Sequence, residues 1–159
     1  MREIRPYTAT DNDPVVALSL RAWAPVFSSM RRVAGDELFL TLYRDWRTQQ
    51  EQAVRDVITH EANSTWVAVA DTSPVGFVSA TLHGADRAGE IVMLAVDPDH
   101  QGAGIGHDLT ETAVAWMREH GVEVAVVETG GDPGHAPARA VYTNAGFTAL
   151  PIARFFRVL

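Results

Sequence analysis

A chain of 159 residues corresponds to about one domain on the usual scale of roughly 100–200 residues, and 47% hydrophobic with 21% charged content is globular, not disordered or collagen-like. Twenty acidic against thirteen basic residues give a net charge of −7, which argues against a nucleic-acid or anionic-membrane partner. All thirteen basic residues are Arg and no Cys is present, which removes Schiff-base lysine chemistry, the phosphate-loop lysine, disulfides, thiolate catalysis and Cys-held metals.

The start of the chain, residues 1–6, is charged and lacks the apolar stretch of ~7–15 residues that a signal peptide needs. No apolar run approaches the roughly 20 residues of a membrane span, so the expectation is a cytoplasmic protein of one domain, residues 1–159. An extended segment over residues 3–6 leads to Asp11-Asn12-Asp13-Pro14, which reads as a helix N-cap with Pro at the first helical position. That helix is expected to run to about Phe27. Leu38, Leu42 and Trp46, then Val54, Val57 and Ile58, recur at helical spacing through about Ala62, with an interruption near residues 43–47.

From Thr65 the pattern turns to strands. Trp66-Val67-Ala68-Val69-Ala70 and Val75-Gly76-Phe77-Val78 flank Asp71-Thr72-Ser73-Pro74, the signature of a hairpin. Glu90-Ile91-Val92-Met93-Leu94-Ala95-Val96 is nearly all apolar, as for a strand covered on both faces. Ile105, Leu109, Ala113, Trp116 and Met117 then mark one face of a helix closed by Gly121, and residues 122–127 read as a second buried strand. Strand, glycine-rich turn, helix, strand is a βαβ crossover and predicts a parallel pair. Residues 137–144 read as a short helix and residues 147–159 as two short closing strands. The fold class is α/β, with helices early and a mixed sheet later.

Chemistry concentrates in Gln101-Gly102-Ala103-Gly104-Ile105-Gly106, between a strand and a helix. Glycines at 102, 104 and 106 let backbone N–H groups turn outward at a helix start, where the dipole adds about 0.3–2 kcal/mol for an anion: a phosphate cradle. The dinucleotide pattern G-x-G-x-x-G fails because its third glycine would fall at His107, and the phosphate-loop pattern fails for want of Lys. The histidines form no ligand set: there is no H-E-x-x-H, and His107 with Glu111 is a lone helical pair, so no metal is expected.

Here the sequence resembles the GNAT superfamily of acyl-CoA-dependent N-acyltransferases, whose pyrophosphate loop Gln/Arg-x-x-Gly-x-Gly/Ala is matched by Gln101, Gly104 and Gly106. Residues 90–98 look like the family's fourth strand and its exit, and residues 138–147, Ala-x-x-x-Tyr-x-x-x-Gly-Phe, like its C-terminal motif. The resemblance covers roughly residues 65–150 and implies a mixed, mostly antiparallel sheet with a central parallel pair, flanked by helices. It implies acetyl-CoA as co-substrate, its pyrophosphate held by N–H groups of residues 102–106, with backbone donors from Leu94 and Val96 to the acyl carbonyl and pantetheine arm. An oxyanion forming at that carbonyl gains ~10²–10³ in rate from one preorganised donor.

By the same resemblance Tyr142 takes the place of a general acid for the departing thiolate, and Glu90 that of a general base, with Glu128 as its rival. A phenol near pKa 10 is a weaker acid than a thiol near 8.5, roughly 2 kcal/mol uphill, so hydrogen bonding to the thiolate is the easier task for Tyr142. A carboxylate facing an ammonium is short by about six units, roughly 8 kcal/mol, so direct abstraction by Glu90 is weak. The family often has Asn seven residues before the Tyr, on the pantetheine arm; here that place holds His135. Arg139 is a candidate for a CoA phosphate. Core packing explains Trp23, Phe27, Tyr43 and Trp46 better than a pocket role, yet the resemblance places the N-terminal helices at the acceptor site and makes these residues, Trp23 and Phe27 first, the candidates for its wall.

The expected reaction is direct transfer to an amine of a small molecule or peptide in a ternary complex, since no Cys is available for an acyl-enzyme. A catalytically silent acyl-CoA sensor on the same fold, and a nucleotide-binding domain of another kind, are the alternatives. Homodimers, the commonest oligomers, stay open.

Overall fold

A computed structural model describes residues 2–84 and 87–159; Met1, part of the charged N-terminal stretch, lies outside them. The chain runs β1 (Arg2–Pro6), α1 (Asn12–Ala34), α2 (Asp36–Leu42), α3 (Trp46–Thr59), β2 (Asn63–Ala70), β3 (Ser73–His83), β4 (Ala88–Val96), α4 (Ile105–Glu119), β5 (Val124–Val127) and α5 (Ala136–Asn144). The strands form one sheet in the order β1-β2-β3-β4-β5, antiparallel except for the β4–β5 pair.

Period-2 alternation sends successive side chains to opposite faces of the sheet, and each face has its own core. Ala68, Val78 and Ile91 meet Leu109, Ala113 and Met117 of α4. Val67, Phe77 and Ala95 meet Val15 and Leu18 of α1 with Val54 and Ile58 of α3. Each large apolar side chain fully buried this way stabilises the fold by roughly 1.5–3 kcal/mol.

Several boundaries differ from the sequence reading. The first helix continues past Phe27 to Ala34, where Gly35 ends it at φ +81°. Asp11 sits at the N-cap position without capping α1; its buried carboxylate accepts from the Thr8 N–H and from both Nη atoms of Arg5 at 2.8 Å. The Arg5 hydrogen bond holds the Asp11 carboxyl below its ordinary value, against the opposing effect of burial. The expected break near residues 43–47 is the α2–α3 junction, where Asp45 caps α3 by accepting from Thr48 N–H.

Two corrections fall at the C-terminal side. Residues 122–127 do not form a buried strand: β5 spans Val124–Val127 and leaves Val124 and Val126 exposed, because it is the last strand of the sheet. Residues 147–159 form no strand; Phe147 packs against the core and residues 148–159 beyond it are exposed. The parallel pair consequently lies at one side of the sheet rather than at its centre.

Candidate functional site

Strand β4 pairs with β5 only through residues 88–91 against 124–127. Immediately afterwards β4 bulges: Ser79 faces Met93 while Ala80 faces Ile91, so Val92 is the extra residue. From there β4 continues to Val96 without β5 beside it, and the strands part around a cavity of about 530 Å³. Residues 91–96 form one wall, residues 127–129 another, and Trp23 with its α1 neighbours a third. Leu94 and Val96, read from the sequence as carbonyl and pantetheine donors, lie on the wall that the departing strand uncovers.

The cavity floor is the start of α4. Gly102 and Gly104 have φ of +78° and +81°, a left-handed backbone that strains any side-chain-bearing residue. The first helical bond runs from the Asp108 N–H to the Gly104 carbonyl, and no side chain caps the helix among the described residues. The N–H groups of Ile105, Gly106 and His107 therefore have no helical acceptor, and all three residues line the cavity. A Cβ at Gly106 would stand 3.3 Å from Cγ2 of Val141, so this glycine lets α5 close against α4.

Other groups hold this floor in place. Gln101 lines the cavity, yet its Nε2 donates to the Val96 carbonyl at 3.0 Å and ties the loop to the strand end. Ala103 is not among the lining residues; its carbonyl accepts from Arg2 Nη1 at 2.7 Å, a brace from β1. Arg21 of α1 spans Asp97 and Asp99 at 2.8 and 2.6 Å, fixing α1 to the β4 exit.

Tyr142 on α5 lines the cavity and is 9% exposed. Burial pushes its hydroxyl up to about 12, so the phenol is protonated at any physiological pH. His135 also lines the cavity, and its Nδ1 is hydrogen-bonded to Asp132. The Asp132 carboxylate accepts from Ser29 Oγ of α1 at 2.6 Å and from the Gly134 N–H at 3.0 Å. Burial works against this charge, but the hydrogen bonds from Ser29 and His135 outweigh it and hold the Asp132 carboxyl below its ordinary value. The contact with Asp132 on Nδ1 fixes the orientation of the His135 ring. Sequence reading missed Asp132 and Ser29; only the spacing Asp132-x-x-His135 hinted at them.

Four expected residues lie elsewhere. Glu90 is outside the cavity lining, with its Oε2 2.9 Å from Nε2 of His83 on β3. Phe27 is buried away from the cavity, stacked on Trp46 at 4.4 Å and edge-on to Tyr43, so the core role holds for it. Arg139 is also outside the lining; its Nη1 donates to the carbonyls of Gly130 and Asp132 at 2.6 and 2.8 Å and shapes the loop that carries His135. Ala103, as noted, braces rather than lines. Glu128 does line the cavity, at its exposed rim, with Arg154 at 3.7 Å.

Solved structures share this architecture. A Bacillus halodurans protein aligns with a TM-score of 0.74 at 18% identity, covering 99% of both chains. AAC(6')-Iy in complex with the bisubstrate analog CoA-S-monomethyl-acetylneamine aligns at 0.67 with 14% identity over 100% of this chain and 99% of that one. Among curated proteins, a mycothiol acetyltransferase of Amycolatopsis mediterranei is 30% identical over 142 residues, 87% of this chain and 43% of the relative. Another, from Saccharomonospora viridis, is 30% identical over 65% of this chain and 38% of the relative. The chain spans less than half the length of these curated relatives. Residues 27–147 match the sequence model of the acetyltransferase (GNAT) family, well over half of the chain. The glycine-rich helix start, the bulged and parted fourth strand and the C-terminal tyrosine thus sit in one cavity within the matched region, and the chain belongs to the GNAT family.

Proposed function

We propose that this chain is an acetyl-CoA-dependent N-acetyltransferase that transfers acetyl directly to a primary amine of a small molecule or peptide. The observation that carries the reading is the joining, in one cavity, of uncapped N–H groups at the α4 start, the length of β4 that β5 leaves uncovered and Tyr142. The names of the relatives add support: mycothiol and aminoglycoside acetyltransferases act on small acceptors.

In this reading Gly102 and residues 104–107 hold the pyrophosphate, while backbone donors at Leu94 and Val96 receive the acyl carbonyl and pantetheine arm. His135 takes the place of the pantetheine-binding Asn through its free Nε2. The neutral amine attacks the thioester carbon, the C–N bond forms, the C–S bond breaks, and the amine's surplus proton passes through water toward Glu128 at the rim. Tyr142 donates a hydrogen bond to the departing sulfur. With Tyr142 at about 12 and a thiol near 8.5, full proton transfer is roughly 5 kcal/mol uphill, so the finished thiol takes its proton from solvent.

Calorimetric titration with acetyl-CoA, with CoA, NAD and ATP beside it, tests the site, followed by thiol release with a panel of amines. Saturable binding of CoA species with turnover supports the reading. Binding without turnover would make the chain an acyl-CoA sensor, and a folded sample that ignores CoA would overturn both.

A further inference from the structure

Asp132 stands behind the cavity, outside its lining, with a side chain only 10% exposed. A carboxylate withdrawn from water costs free energy unless several polar groups meet it. Three do so here: the Ser29 hydroxyl of α1, the Gly134 N–H and the His135 ring at Nδ1.

Ser29 sits in the body of α1 and is buried. A helical serine commonly gives its proton to the carbonyl four residues back, as Ser19 of the same helix does to Val15 at 2.7 Å. Ser29 instead donates to Asp132 at 2.6 Å and accepts from the Gly134 N–H at 2.8 Å. A Cβ at Gly134 would come 2.5 Å from Cβ of Ser29, so the loop closes against α1 with no room to spare.

The shape of the loop does not by itself call for a charge at this point. Arg139 braces the loop through the Gly130 and Asp132 carbonyls, and the bond from Gly134 to Ser29 ties it to α1. What the carboxylate adds is its hold on the imidazole of His135, the one member of the group that lines the cavity. With Nδ1 engaged by Asp132, Nε2 is the ring nitrogen left to a ligand there. A pantetheine arm carries amides, whose hydrogen bonds are directional, and a ring held in one pose meets them without first losing rotamer freedom.

We infer that Asp132, which touches no ligand itself, is a positioning residue for acetyl-CoA: seated on Ser29, it holds the His135 ring so that Nε2 meets the pantetheine arm. This role rests on the acetyl-CoA-dependent reading of the cavity.

Calorimetric titration of the full chain with acetyl-CoA across a double-mutant cycle tests it, with circular dichroism and urea melts beside it. Asp132→Ala is expected to raise the acetyl-CoA Kd ~5-fold or more, and His135→Ala to raise it by as much. In the His135→Ala background, Asp132→Ala should change Kd by less than about twofold while still lowering the urea midpoint, because the Ser29 and Gly134 contacts are lost in either background. An Asp132 that served only the fold would weaken binding equally in both. Ser29→Ala, which keeps the Asp132–His135 contact, is a milder second arm: a smaller rise in Kd, again absent beside His135→Ala. If the parent binds acetyl-CoA and both Asp132→Ala and Ser29→Ala stay within about twofold of it, or if the loss persists undiminished beside His135→Ala, the positioning role is overturned and the acetyl-CoA reading stands. A folded parent that does not bind acetyl-CoA overturns that reading, and the positioning role falls with it.

Discussion

Tyr142 shows how much a single residue's surroundings decide. The motif marks the position, but the burial that lifts its hydroxyl to about 12 comes with the packing of α5 on α4 and with Phe147 edge-on to the ring. Tyr142→Phe is expected to leave acetyl-CoA affinity within a factor of two and lower kcat by ~10-fold or more, read by calorimetry and thiol release. The raised value also gives a stability prediction. Between pH 10 and 12 the unfolded chain ionises this tyrosine while the native state keeps it neutral, so its stabilisation is complete below about 10 and is lost as pH rises. The loss reaches about 2 kcal/mol at pH 12 and is absent in Tyr142→Phe, measurable by denaturant melts across that range. Among the carboxylates the comparison is sharper. Glu128→Gln should lower kcat/KM by ~10-fold or more, whereas Glu90→Gln, outside the cavity beside His83, should leave it within a factor of two.

Elements carry the next level of control, and two of them hold the site by unlike means. The α4 start depends on backbone shape: at Gly104 a Cβ would meet nothing, but φ of +81° penalises any L side chain. Gly104→Val is expected to weaken acetyl-CoA binding at least tenfold by calorimetry while the thermal midpoint falls by only a few degrees, since the strain is about 1–2 kcal/mol. The loop before α5 depends instead on a hydrogen-bonded group drawn from two distant segments, Ser29 on α1 and Asp132 with His135. Asp132→Asn leaves buried partners unmatched and is expected to cost about 1–3 kcal/mol in a urea melt. Because the native Asp132 carboxyl lies below its ordinary value, its contribution is present above that range and fades as the pH falls through it, so the variant and parent should converge in acid.

At the scale of the whole molecule, one sheet with a core on each face supplies a rigid frame, and the split between β4 and β5 supplies the opening. Phe77, fully buried where β3 meets α1 and α3, anchors one of those cores, and Phe77→Ala should cost about 3–5 kcal/mol of unfolding free energy. The alternation of apolar residues, the glycine spacing at 102, 104 and 106, and the Tyr142 motif are local signals, and they are enough to mark β1 to β5, the βαβ crossover and the glycine turn and tyrosine that line the cavity. Each reports on neighbours a few residues away along the chain. What the alternation could not reveal is where pairing stops: the bulge at Val92 and the parting of β5 set Glu90 on the paired side and Leu94 on the open side, though both lie in one apolar run. Similarly, Phe27 and Trp23 share one helix and one chemical character, and only the packing of α2 and α3 sends the first into an aromatic cluster and leaves the second on the cavity wall. Closing strands after Phe147 were read from β-forming residues, yet a strand exists only with a hydrogen-bonding partner. Such partners come from tens of residues away, and Ser29 reaches Asp132 across more than a hundred, so only the tertiary structure decides them.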